Sequence, residues 1–348
     1  VQGPRVKAFE EAFAAYVGVP HAVAVSNCTS ALFLGLLALN LGAGDKVAVC
    51  TYSWPATANA ICAVGAVPVF VDIEPVAFSM DPAALERELA RRSDIKAVVV
   101  VHPFGASANT EHLLRITERH QIPLIEDAAC ALGTQQHGRY AGSWGALGTF
   151  SFHPRKAVTT GEGGMLVTSS ARIARAVTML RNHGQDPDAA KPEFVMFGHN
   201  LRMTDMQGAL GSVQLRKVER IIAARMQAAR RYDELLRSTC VSVPQRLADT
   251  RHVYQSYVVL LPRDARRSRD GVIAFMKERG IETTLGTYAM PLIRSFQAWG
   301  GFRPGDFPVT DDIAARALTL PMYESLSESD QRIVVSTLLE ALEEPAHA

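Results

Sequence analysis

Cysteine is scarce in this chain and shows no pairing pattern. The five residues, at 28, 50, 62, 130 and 240, are odd in number and contain no C-x-x-C spacing. Neither a disulfide framework nor a zinc site is suggested, and the thiols read as reduced, as expected of a cytoplasmic protein. Apolar runs of membrane-span length are missing, so no membrane association is expected, and the start Val1-Gln2-Gly3-Pro4-Arg5 does not read as a signal peptide. An excess of charge is missing too. The formal net charge is +1, which gives no support to nucleic-acid binding. No clustered metal-ligand spacing occurs, so no metal is expected. Lysine itself is rare, with seven residues against 29 arginines, and of the seven only Lys156 lies in an apolar, glycine-framed setting.

The composition that remains is that of a well-filled globular chain. Hydrophobic residues make up 48% of the 348 positions and charged residues 20%. Such a chain can build one large domain and one smaller one. Short β-branched runs at 46–50, 67–71, 97–101, 123–126 and 147–152 alternate with helical spacing at 6–17, 30–41, 56–64, 82–91 and 110–120. That alternation predicts an α/β fold with a mostly parallel sheet covered on both faces, a three-layer α/β/α arrangement. A long loop is expected over 182–201, followed by one long helix from about Thr204 to Leu236. A strand at 255–261 and helices at 268–279 and 330–342 predict a smaller C-terminal α+β domain. We place the boundary near 230, giving domains 1–230 and 231–348.

Two segments carry chemistry. Ser151-Phe152-His153-Pro154-Arg155-Lys156 follows an apolar strand and precedes the turn Gly161-Glu162-Gly163-Gly164. Glu126-Asp127-Ala128-Ala129 closes another strand 29 positions before that lysine. A lysine amine condenses with an aldehyde, and an aspartate holds a protonated ring nitrogen. Those are the two groups that pyridoxal 5'-phosphate (PLP) asks of a protein. Each residue also has a bland reading. Lys156 is alternatively an exposed strand-end lysine, and Asp127 a helix N-cap. Asn27-Cys28-Thr29-Ser30 sits at a predicted helix start suited to a phosphate or to simple capping. Trp54 either stacks on a ring face or belongs to the core.

Taken in order, these motifs resemble those of the DegT/DnrJ/EryC1/StrS family of PLP-dependent sugar aminotransferases, of the aspartate aminotransferase fold (fold type I). Gly44-Asp45, Pro68-Val69-Phe70-Val71-Asp72, His102-Pro103-Phe104-Gly105, Arg181-Asn182-His183-Gly184 and Asn200-Leu201-Arg202-Met203-Thr204-Asp205 also carry the resemblance, which spans nearly the whole chain. It implies that Lys156 forms the internal aldimine and shuttles protons, and that Asp127 binds the ring nitrogen. It implies that Thr29, Ser30 and Ser151 hold the phosphate and that Trp54 covers the ring. Asn200 would reach the cofactor phosphate of a neighbouring subunit, making the active sites shared within a homodimer. His153, His183 and Tyr288 are the candidate substrate contacts. The expected reaction is ping-pong transfer of an amino group from an amino acid, glutamate in most of the family, to a keto-sugar, usually nucleotide-linked.

Three features depart from the family pattern. Cys130 stands where Gln or His usually meets the cofactor's ring hydroxyl, and a thiol is a weak donor. Many members carry a histidine near Gly286 that faces the substrate; here either Thr287 or Tyr288 takes over that contact, or the sugar binds differently. The segment beginning at Gly3 normally follows a further stretch of chain, so residues are expected to be missing before it. Alternative readings are a keto-cyclitol acceptor, a PLP-dependent sugar dehydratase, and a non-catalytic regulatory binding protein on the same scaffold. Dehydrating relatives replace the lysine by histidine, and a regulator would be expected to lose cofactor residues. Lys156 and Asp127 argue against both.

Overall fold

The computed structural model describes residues 3–343. Its centre is a seven-stranded sheet in the order His21–Val25, Gly164–Thr168, Leu147–Ser151, Leu124–Asp127, Ile95–Val101, Lys46–Cys50, Val67–Val71. All neighbours run parallel except at Gly164–Thr168, which is antiparallel to the strands on either side of it. Successive side chains of a strand point to opposite faces. Val47, Val49, Ala97, Val99 and Ile125 therefore enter one core, with the helices Cys28–Ala38, Ala56–Ala63 and Ala171–Leu180. Ala48, Cys50, Val98, Val100 and Leu124 enter another, beneath the helices Pro82–Arg91 and Thr110–Arg119. A third core extends that second face, where Phe9 and Phe13 of helix Pro4–Val17 meet Phe150 and Phe152. Helix, sheet, helix is the layering the alternation predicts.

The sequence signals of the termini hold locally. Helix Pro4–Val17 starts with proline in its first turn and ends at Gly18 in the left-handed region, at φ 79°. Asp81 caps Pro82–Arg91 by accepting from the N–H groups of Ala83 and Ala84. Thr204 and Gln207 form a reciprocal capping box.

One expected element differs. The single helix from Thr204 to Leu236 is two helices, Asp205–Leu215 and Val218–Leu236. The first lies against helix Pro4–Val17 so closely that a Cβ on Gly211 would sit 2.6 Å from the Phe9 ring, and one on Gly208 2.7 Å from the Val6 nitrogen. That backbone approach fixes its direction. The second helix takes another path, placing Val218 and Ile222 in the third core and Ala229, Tyr232 and Leu236 in a fourth.

The fourth core is C-terminal. The antiparallel strands Tyr257–Leu260, Ala317–Leu320 and Thr284–Leu285 pack there with helices Arg269–Glu278 and Glu328–Glu343. The stretch between them returns to the large sheet. Tyr288–Ala289 pairs with Tyr52–Ser53, Phe296 and Phe302 pack edge-on against Phe70, and Asp72 accepts from the N–H groups of Val309 and Thr310.

Beneath the strand ends lies a buried carboxylate. Glu126 accepts from the N–H groups of Gly142, Trp144 and Gly145 at 2.7, 2.6 and 2.8 Å and pairs with His102 Nε2 at 3.0 Å. His102 Nδ1 accepts from the Ala108 N–H, so Nε2 carries the proton that Glu126 receives. Deleting one partner of such a network strands the others away from water. Glu126→Ala is expected to lower stability by about 3–5 kcal/mol, read from equilibrium urea unfolding.

Candidate active site

The parallel strands end together, and open α/β sheets bind ligands beyond their carboxyl ends. Asp127, the last residue of its strand, is 5% exposed. Its Oδ2 accepts from Thr57 Oγ1 at 2.7 Å and its Oδ1 from the Ala129 N–H at 3.1 Å. No helix begins after it, so capping does not explain the residue. Burial pushes its carboxyl above the usual range, opposed by the Thr57 and Ala129 hydrogen bonds and by the Lys156 charge. A protonated ring nitrogen is the kind of partner that would relieve that burial.

Lys156 stands on the loop after strand Leu147–Ser151, where its N–H donates to the His153 carbonyl at 2.9 Å. Its Nζ lies 2.9 Å from Cys130 Sγ. Burial alone would pull the amine down, but the Cys130 sulfur, with Cys28 and Asp127 nearby, outweighs it and holds the ammonium above its ordinary range. Cys28 contributes from below. Burial first, and then the Asp127 charge, push its thiol well up.

Cys28 opens the helix Cys28–Ala38, capped by Asn27, whose Oδ1 accepts from the Ser30 N–H at 2.8 Å and the Ser30 hydroxyl at 3.0 Å. Thr29 is exposed at the first turn and Ser30 is buried. The helix start is brought against the sheet because position 164 has no side chain. A Cβ on Gly164 would lie 2.4 Å from the Asn27 carbonyl carbon. Ser151 ends its strand in the same cavity as Lys156 and Cys130, with Arg225 and Gln255 on another wall.

Trp54 is 62% exposed, so it is not a core residue. The strand pair Tyr52–Ser53 with Tyr288–Ala289 sets Tyr288 edge-on against it, ring centroids 5.5 Å apart. Thr287 donates its N–H to the buried Tyr52 hydroxyl. His153 Nδ1 accepts from the Arg155 N–H, and its Nε2 stands 4.0 Å from Glu162. His183 and Asn200 are exposed on the 182–201 segment, which folds back on itself through bridges between Asn182 and Asn200 and between Gln185 and Phe194. Thr57 and Gln255 are the site residues that sequence reasoning missed, and Cys28, though inside the quoted Asn27-Cys28-Thr29-Ser30 helix start, had no role of its own there. None has a local signature. Each enters through a partner at least 70 positions away or through a neighbouring strand end.

These residues fit PLP by their own chemistry. A half-buried lysine has a sulfur rather than a carboxylate against its amine. A buried carboxylate has room for one more proton donor. A capped helix start, of the kind that binds phosphate, faces the same strand ends. Among the described residues no cluster able to hold a metal ion occurs, and no helix is long and apolar enough to cross a membrane.

The profile of the DegT/DnrJ/EryC1/StrS aminotransferase family matches residues 1–339, and the chain belongs to that family. It is 36% identical over 336 residues to GDP-perosamine synthase of Caulobacter vibrioides, covering 96% of this chain and 89% of that protein. It is 34% identical over 345 residues to a pleiotropic regulatory protein of Geobacillus stearothermophilus, covering 98% and 90%. Among solved structures, Spr1654 of Streptococcus pneumoniae in its PLP form superposes with a TM-score of 0.92 at 25% identity, over 98% of this chain and 92% of that one. The protein is a sugar aminotransferase with PLP as its cofactor.

The contact between Lys156 and Cys130 has a measurable consequence. Removing the sulfur leaves burial acting on the amine with less to oppose it. In the cofactor-free protein, Cys130→Ala is expected to lower the midpoint of the pH profile for Lys156 acylation relative to the wild type, and an unchanged midpoint would exclude the sulfur's influence on the amine.

Proposed function

We propose that the protein transfers an amino group from an amino acid, glutamate, to a nucleotide-linked keto-sugar in two half-reactions at one site. The observation that carries this reading is the placing of a half-buried lysine, Lys156, with its Nζ 2.9 Å from Cys130 Sγ, and the buried carboxylate of Asp127 at neighbouring strand ends. Bound PLP supplies an electron sink for the charge left when the substrate Cα loses its proton. Lys156 would hold the cofactor through its aldehyde, and its amine would serve as the acid and base that moves the substrate's Cα proton. Asp127 would pair with the protonated ring nitrogen, and Thr57 fixes that carboxylate by donating to its Oδ2. Thr29, Ser30 and Ser151 take the phosphate, beside the N–H groups of the helix start. Trp54 would shield the ring face, and Tyr288, set edge-on against Trp54, is the candidate contact for the sugar there, with His153 and His183 as further candidates. Cys130, against Lys156, stands where the family usually carries the Gln or His that meets the ring hydroxyl, and its thiol would be a weak partner there.

The acceptor class rests on the family and on the sugar named in the Caulobacter relative. A regulatory role is disfavoured because Lys156 and Asp127, the two residues PLP chemistry depends on most, are both present. The unpaired cysteines fit a reducing cytoplasm.

A homodimer with shared sites belongs to the same reading. Phe197 is 99% exposed and Met206 82%, with Phe194 and Leu210 also bare. Large apolar side chains grouped on the 182–201 segment and the following helix suit cover by a second copy. Asn200 on that segment would then reach the partner's phosphate.

The half-reactions test the chemistry. Glutamate is expected to convert the absorption of the PLP-loaded protein to that of its amine form, and nucleotide-linked 3-keto or 4-keto sugars to reverse it. Lys156→Ala is expected to slow both conversions by at least about 10²–10⁴-fold in stopped-flow absorbance. Equal rates would exclude the role given to Lys156.

Subunit complementation tests the sharing. Lys156→Ala and Asn200→Ala homodimers are each expected to be impaired. Refolded as a mixture, they should regain activity through heterodimers in which one site has both residues intact. No gain on mixing would mean that each site is complete within one subunit.

A further inference from the structure

Lys156 lies on a loop, and a loop lysine needs something to hold its backbone if its amine is to meet a buried ring. We propose that Gln255 is the positioning residue of Lys156. Its amide spans the two peptide groups that flank the lysine. Gln255 Nε2 donates to the Arg155 carbonyl at 2.6 Å, and Gln255 Oε1 accepts from the Ala157 N–H at 3.1 Å. The two bonds fix the amide's orientation, because exchange of its oxygen and nitrogen would set like against like at both ends.

The segment that presents Gln255 is itself held on several sides. Tyr254 has φ 50°, a conformation that costs energy for a residue with a side chain. It persists here because its N–H donates to His252 Nδ1 at 2.9 Å and its ring stacks on that imidazole at 4.0 Å. The Val253 and Ser256 N–H groups donate to the Gly105 and Phe104 carbonyls. Arg225, 8% exposed in helix Val218–Leu236, donates to the Gln255 carbonyl at 3.0 Å. The strained tyrosine turns the chain just before Gln255, and the strand Tyr257–Leu260 starts just after it. The C-terminal core therefore grips the catalytic loop through one side chain, and Arg225 ties that grip to the helix that runs through two cores.

This role rests on Lys156 being the lysine that takes the cofactor aldehyde. It also makes a claim about the loop that needs no cofactor, namely that Gln255 protects the Ala157 amide. Gln255→Met keeps the length and volume of the side chain and removes both hydrogen bonds. In the cofactor-free protein, this variant is expected to exchange the Ala157 amide hydrogen about tenfold faster, equivalent to about 1.4 kcal/mol. Exchange at Phe152, whose N–H bonds to the Gly163 carbonyl and not to Gln255, should stay as in the wild type. The same variant is expected to condense with added PLP about tenfold more slowly, scored by borohydride reduction and mass mapping of the modified lysine, while its melting temperature stays within about 2 °C.

Condensation and Ala157 exchange both at wild-type rates would overturn the positioning role and leave the reading of Lys156 intact. PLP fixed on a lysine other than Lys156 in the wild type would overturn both. Should Gln255→Met not fold, the wild-type protein still decides. Exchange of its Ala157 amide at the rate of an unprotected peptide would overturn the proposal.

Discussion

Asp127 carries a carboxylate that water scarcely reaches, and much of the site is arranged around that fact. A buried carboxylate is costly unless hydrogen bonds or positive charge compensate it. Thr57 and the Ala129 N–H supply part of the compensation, and the Lys156 charge supplies more. Each contributor comes from a different element: the helix Ala56–Ala63, the turn after the aspartate's own strand, and the loop after the neighbouring strand. The site is therefore assembled by the sheet's strand order rather than by any local run of sequence. The residue before it is compensated differently. Glu126 points to the opposite face of the sheet and is satisfied there by three peptide N–H groups and a histidine. Two adjacent buried acids thus serve opposite purposes. One is fully satisfied and locks the turns at 142–145. The other keeps capacity for a further donor.

The layered fold was legible because strand and helix periods differ. Runs such as Val98–Val101, buried on both faces, cannot be read as anything but a central strand between helices. Lys156 and Asp127 were legible because an amine and a carboxylate in apolar, strand-end settings are chemically conspicuous. The break between the helices Asp205–Leu215 and Val218–Leu236 was not. Apolar spacing runs through it, and its cause is the close backbone approach at Gly208 and Gly211, a tertiary event. Thr57 and Gln255 were hidden for the same reason. A threonine in a first helical turn and a glutamine before a strand are ordinary locally and gain meaning only through distant partners. Tyr288 was singled out only by its place near Gly286. The strand pair that seats it on Trp54 is two residues long on each side, too short to leave a pattern.

The helix Val218–Leu236 gives the molecule its internal continuity. Its first turns are packed with Phe150 and Phe152, its last with Tyr257 and Leu320, and Arg225 lies between. A rearrangement of the C-terminal core is therefore felt at Arg225 before it reaches the loop at 155–157. Order at the lysine is in this sense a property of the whole chain.

The pairing of Tyr52–Ser53 with Tyr288–Ala289 limits how the chain can be dissected. A fragment ending near residue 230 would keep every strand of the large sheet. It would nevertheless leave Tyr52–Ser53 as a bare edge, Phe70 without its aromatic neighbours and Asp72 without the Val309 and Thr310 N–H groups. Bare edges beside apolar surface recruit other chains. The large sheet is thus not a portable module, and grafting or truncation has to carry the 286–310 stretch along with it.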